Sequence, residues 1–171
     1  MIKRLPGGKI TLGALVLTAV LAGALGLLLH GTVAAQDEEA NLLKDLLEKT
    51  DLKTRALDDE SWIVPFDARD GSTIDVYVTY NNEKKKFAMI FATVVDKDDK
   101  FEFGREVLAE CMKLNNDYPA CKFCLDYDHG DIDCQSEVLI STLTAEALDM
   151  HINLVAALAD EQAANLRALV R

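Results

Sequence analysis

The chain has 171 residues, 18 of them Lys or Arg against 29 Asp or Glu, for a formal net charge of −11. Such a polyanion is repelled by a phosphate backbone and by anionic lipid headgroups. Nucleic acid and anionic membrane surfaces are therefore poor partners; basic proteins, basic peptides or divalent cations are better ones, and the charge is explained more simply as keeping an exported protein soluble.

The first 35 residues read as an address. Lys3, Arg4 and Lys9 precede an apolar run over 10–29, and Val33-Ala34-Ala35-Gln36 follows it. A basic start, an apolar middle and small residues before a cut make a bacterial secretory signal. Cleavage is expected after Ala35, giving a signal peptide at 1–35 and a working domain at 36–171, periplasmic or secreted. The run is also long enough to cross a bilayer. Left uncleaved, residues 10–29 would anchor the protein in the inner membrane with the basic start on the cytoplasmic side. Those three basic residues are the only charges in 1–35, so 36–171 carries 15 basic and 29 acidic side chains, net −14. About 135 residues suffice for one domain with its own core.

Residues 37–50 predict a helix, with Leu42, Leu43, Leu46 and Leu47 on one stripe and Asp37, Glu38 and Glu39 in the first turn. A polar stretch over 51–60 separates it from three strands. The first covers 61–66, with Trp62, Val64 and Phe66 in alternation. Ala68-Arg69-Asp70-Gly71 is a turn in which Gly71 is free to take positive φ. The second strand, 73–80, alternates Ile74, Val76, Val78 and Tyr80 with Thr73, Asp75, Tyr77 and Thr79. After a turn at 81–84 comes the most apolar strand, 87–95, which belongs in the middle of the sheet. No crossover separates the three, so they form an antiparallel meander.

A charged loop at 96–100 leads to a second helix over 103–115, with Val107, Leu108, Cys111, Met112 and Leu114 as its inner face. Residues 115–119 end it. Strands at 121–127 and 132–139 are joined by a tight hairpin at Asp128-His129-Gly130-Asp131. Thr144 is an N-cap for the last helix, Glu146 supports its first turn, and Leu148, Ile152 and Val155 form its apolar stripe. The order is helix, three strands, helix, two strands, helix: an α+β domain with one antiparallel sheet and helices on one face.

This layout and its punctuation resemble the bacterial YbjN-like family, described as sensory-transduction regulators, which shares its fold with type III secretion chaperones. The matching residues are Trp62, Asp70-Gly71, Leu114-Asn115, Phe123-x-Leu125-x-x-x-x-Gly130-Asp131 and Leu143-Thr144. They span about 42–160, nearly all of the working domain. The resemblance implies a chaperone-like binding or regulatory module with no catalytic set. The export signal and four cysteines depart from that family's usual pattern.

Cys111, Cys121, Cys124 and Cys134 are the four cysteines, an even number in an exported chain, which points to disulfides. Cys121 with Cys124 is disfavoured, because i and i+3 along a strand lie roughly 10 Å apart. Cys111–Cys121 plus Cys124–Cys134 is the favoured pairing if the hairpin carries a one-residue bulge at Gly130. Without the bulge Cys134 falls opposite Leu125, and Cys111–Cys134 competes.

Cys121-Lys122-Phe123-Cys124 also carries the alternative of a thiol-based redox or zinc protein. Redox C-x-x-C pairs sit at helix N-termini, whereas this one is in a strand followed by acids. Structural zinc needs two close-spaced ligand pairs, and only one is present.

Asp126, Asp128, Asp131 and Glu137 approach a calcium loop, but Gly130 stands where an acid is required and Asp131 where the glycine is. His30, His129 and His151 have no Ser or Cys partner at a recognisable spacing, so no hydrolytic triad is expected. Neither a metal nor a cofactor is expected.

The expected function is therefore non-catalytic binding of another polypeptide, with homodimerisation through the sheet or last helix as a variant. Membrane contact is expected only if the leader stays attached. Tyr77, Tyr80 and Phe91 are candidates for the binding surface, although ordinary core roles fit them as well.

Overall fold

Alternating apolar residues in 61–95 commit this stretch to strands, and the backbone follows them. The computed structural model describes residues 41–80, 86–96, 103–126 and 129–170. The leader, the first residues of the first helix, the turn at 81–84, most of the charged loop at 96–100, Tyr127 and Asp128 lie outside the described residues.

Helix α1 covers 41–47. It buries Leu43, Leu46 and Leu47 and leaves Leu42 at 38% exposure. Strand β1 (Arg55–Ala56) then lies within the stretch read as merely polar. Strands β2 (Ser61–Asp67), β3 (Thr73–Tyr80) and β4 (Phe87–Val95) form the expected antiparallel meander. Gly71 takes φ +85° in the β2–β3 turn. That turn is closed by the Gly71 N–H on the Ala68 carbonyl at 3.0 Å and by the Ser72 N–H on Asp70 Oδ1 at 2.9 Å.

Helix α2 spans Arg105–Asp117, starting later and ending later than expected. Its buried residues are Val107, Cys111 and Leu114, one stripe at i, i+4 and i+7. Leu108 and Met112, expected on that face, are 42% and 74% exposed. They lie one position along, about 100° round the helix, while α2 packs on β5 and α3. Pro119 prevents the helix from continuing past Tyr118.

Strands β5 (Lys122–Leu125) and β6 (Ile132–Leu139) pair antiparallel. The sheet order is β1-β2-β3-β4-β6-β5, which places β4 in the interior as expected. Helix α3 covers Ala145–Leu169. Thr144 caps it by accepting the Ala147 N–H at 3.2 Å. Leu148, Ile152 and Val155 are fully buried against the sheet, each stabilising the fold by about 1.5–3 kcal/mol.

All three helices contribute to one core on one face of the sheet, with Trp62, Val64, Val76, Val78, Ile90, Ala92 and Cys134 supplying the sheet side. The two sheet edges are protected differently. Pro65 stands on β2 beyond the end of β1, where a missing N–H costs no ladder bond and discourages further pairing. On β5, Asn115 of α2 reaches the backbone of Phe123, donating Nδ2 to its carbonyl at 3.2 Å and accepting its N–H at 2.6 Å.

Neither register considered for the second hairpin, Cys134 opposite Cys124 or opposite Leu125, is the one found, and the register shift recorded among the described strands lies in β4 between Thr93 and Val95. The β5–β6 connection instead closes through the Asp126 N–H on the Asp131 carbonyl at 2.9 Å, with Gly130 at φ +81°. Cys134 therefore pairs with Phe123, Cys124 with Asp133, and Leu125 with Ile132.

Candidate functional site

The sheet face opposite the helices is the most distinctive surface. Antiparallel register aligns one row across all six strands: Arg55, Ile63, Tyr77, Phe91, Gln135 and Lys122. Residues on a row point the same way, so their side chains meet. The Tyr77 and Phe91 rings stack at 5.1 Å between centroids and 16° between planes. Ile63 beside them is only 3% exposed yet stands outside the helix-side core. Met89, next to Phe91 on the same face of β4, is half-buried.

The rim of this face is acidic. Asp75, Asp133 and Glu137 occupy it, with Lys122 and Arg55 at the far ends of the row. Burial pushes the Asp133 carboxyl above its usual range, while the Thr93 hydroxyl, donating to Asp133 Oδ1 at 2.8 Å, holds it back. The face thus offers an apolar aromatic centre within negative charge.

Of the residues expected on a binding surface, Tyr77 and Phe91 are on this face and Tyr80 is not. Tyr80 lies on the opposite parity, 3% exposed within the helix-side core. Ile63 and Met89 were missed. The signal for Ile63 was Trp62-Ile63-Val64, three consecutive apolar residues in a strand, which means both faces are shielded there.

The four cysteines carry free thiols. The register sends Cys124 and Cys134 to opposite faces, so the favoured Cys124–Cys134 pairing is not the one this arrangement supports. Cys121 is buried in the helix-side core, whereas Cys124 is half-buried opposite Asp133 on the other face. Cys121 and Cys134 are instead in thiol–thiol hydrogen bond contact. That bond lowers the Cys121 pKa and raises that of Cys134, which burial raises further. Burial is also the main cause of the raised pKa values of Cys111 and Cys124, reinforced at Cys124 by Asp133 and Glu137. No group of three metal-ligating side chains occurs among the described residues.

Two histidine contacts were not legible in the sequence. His129 Nδ1 is 2.9 Å from Asp126 Oδ2 in the exposed β5–β6 connection. His151 Nδ1 is 3.0 Å from the Ser136 hydroxyl, which donates to the Ala120 carbonyl at 3.0 Å. The Ala120 carbonyl and the His151 ring lie equally close to Ser136 Oγ, so the carbonyl competes with the ring for the one hydroxyl proton. Ser136 is also only 4% exposed.

A cleft of about 260 Å³ separates the β2–β3 turn from α3. Its polar groups largely satisfy one another: Asp160 accepts the Arg69 N–H at 3.1 Å and pairs with Arg69 Nε at 3.0 Å. Asp70, held below the usual carboxylate range by Ser72, shapes the turn at its mouth. The Asp70-Gly71 element thus has a structural task.

No protein-family model and no curated protein matches the chain. Solved structures do. A chain of the ExsC–ExsE complex is 18% identical, with 74% of this chain and 92% of that one covered at a TM-score of 0.52. A chain of the HopA1–SchA chaperone–effector complex is 10% identical, with 74% and 93% covered at a TM-score of 0.50. The Yersinia pestis type III secretion chaperone SycH, in complex with a stable fragment of YscM2, matches more loosely, at 16% identity and a TM-score of 0.44 over 71% and 96%. The fold of this chain is the type III secretion chaperone-like α+β fold.

Proposed function

We propose that this protein is an exported, non-catalytic binding module that holds another polypeptide on the open face of its sheet. The observation that carries the reading is the stacked Tyr77–Phe91 pair, half-buried on the sheet face opposite the described helices. The acidic rim and the net −14 of residues 36–171 select a basic, amphipathic partner segment with apolar side chains for the aromatic pair. One of the structures sharing the fold is a chaperone–effector complex, which supports a chaperone-like role. The residue pattern from Trp62 to Thr144 supports a place among the YbjN-like proteins, with a sensory-transduction regulator as the corresponding role. Export rests on the basic start, apolar run and Val33-Ala34-Ala35 of the leader. Self-association through the sheet or α3 is a variant of the same reading, and facing copies of the acidic rim weigh against the sheet route.

Two experiments test this. Affinity capture from an exported fraction, with residues 36–171 as bait, should recover a specific polypeptide that Tyr77→Asp loses and that salt releases. Equal capture by the folded variant would remove the open face from the account. N-terminal sequencing of exported protein should begin at Gln36, whereas an intact Met1 in a membrane fraction would establish the anchor instead.

A further inference from the structure

Cys121 and Cys134 occupy neighbouring chain segments on the core side of the sheet. Cys134 pairs with Phe123 in the β5–β6 ladder, so Cys121, two residues earlier, is its diagonal neighbour. In a regular ladder diagonal neighbours are roughly 7–8 Å apart, too far for two short side chains, yet these two thiols are in contact. The contact occurs where the chain has not yet entered the regular ladder. Cys121 precedes β5 in a turn closed by its own N–H on the Tyr118 carbonyl at 3.1 Å. The two residues are 1% and 0% exposed, and no other thiol is hydrogen-bonded to either.

We propose that Cys121 and Cys134 are joined by a disulfide when the chain folds in the presence of a disulfide oxidant, and that Cys111 and Cys124 remain thiols. The oxidant is a low-molecular-weight or protein disulfide, R–S–S–R. One cysteine thiolate attacks it, forming a mixed disulfide and releasing one R–S⁻. The second cysteine thiolate then attacks the cysteine sulfur of that mixed disulfide, closing the Cys121–Cys134 bond and releasing the other R–S⁻. Two thiol protons go to the departing thiolates, and the oxidant gains two electrons. Both sulfurs are enclosed in the finished fold, so the exchange takes place before β5 closes on β6.

Cys111 and Cys124 are poor competitors for two reasons. Cys124 stands on the other sheet face, opposite Asp133, and Cys111 on a helix. The bond would tie β5, a strand of only four residues, to the centre of the sheet.

The test is reduced, unfolded protein refolded with oxidised glutathione, which supplies the oxidant whether or not export occurs. After alkylation, trypsin cuts at Lys113 and Lys122, and an Asp-specific endoproteinase separates Cys124 from Cys134. The expected product is one cross-linked peptide pair holding Cys121 and Cys134, with Cys111 and Cys124 alkylated. A Cys111→Ser/Cys124→Ser double variant should fold and still lose two hydrogens in mass on oxidation. Four alkylated cysteines, a link through Cys111 or Cys124, or a folded double variant that stays reduced would overturn the proposal.

Discussion

The side-chain amide of Asn115 pairs with both backbone groups of Phe123, as a neighbouring strand would. A helix residue thereby completes the ladder at the exposed edge of β5. This gives a physical reason for Leu114-Asn115: Leu114 seats α2 in the core while Asn115 closes the sheet edge. Asn115→Ala should cost about 1–3 kcal/mol, because it leaves the Phe123 N–H and carbonyl without this partner. Denaturant unfolding measures it, and an unchanged midpoint would show that water replaces the amide at no cost.

The inner face of α2 can be checked by contrast. Leu114→Ala should destabilise by about 2–5 kcal/mol as a buried truncation. Met112→Ala, on the exposed side, should stay within about 0.5 kcal/mol. Equal losses in urea melts would return Met112 to the core.

Gly71 is needed for its backbone. A Cβ there would meet nothing within 4 Å, so the cost of Gly71→Ala is conformational, from φ +85°. We expect roughly 1–2 kcal/mol, read as a lowered thermal midpoint. A stabilised variant would mean that the turn relaxes to negative φ.

His151 sets a pH dependence. Burial holds its pKa below the ordinary 6.5 in the folded chain. Between the two values the unfolded chain binds more protons, so stability rises with pH there. Stability is therefore lost as pH falls through about 6.5 and levels off below the folded pKa. Urea midpoints measured from acidic to neutral pH should show this slope, and His151→Gln should flatten it. A slope unaltered in that variant would place the titration elsewhere.

Strands β2, β3, β4 and β6 were legible because each alternates against a single core, and Thr144 because a hydroxyl before an apolar stripe is a cap. Strand β1 was not legible, since two exposed residues carry no period. The cysteine pairing was not legible either. It depends on strand parity, and one residue of register moves a side chain to the other face. The register shift lies at Thr93–Val95, where nothing in Ala92-Thr93-Val94-Val95 marks it. Ser136 and His151 meet only because β6 and α3 pack together, a proximity that sequence spacing does not encode.

The central claim is that the Tyr77–Phe91 face holds a polypeptide. A photo-crosslinking amino acid placed at Phe91, in protein exposed to its own exported fraction, tests it most directly, with the same probe at Met112 on the outer side of α2 as control. The account predicts a discrete polypeptide adduct from position 91, lost in the Tyr77→Asp background and absent from position 112. Adducts of equal yield from both positions, or none from position 91 in folded protein, would contradict it.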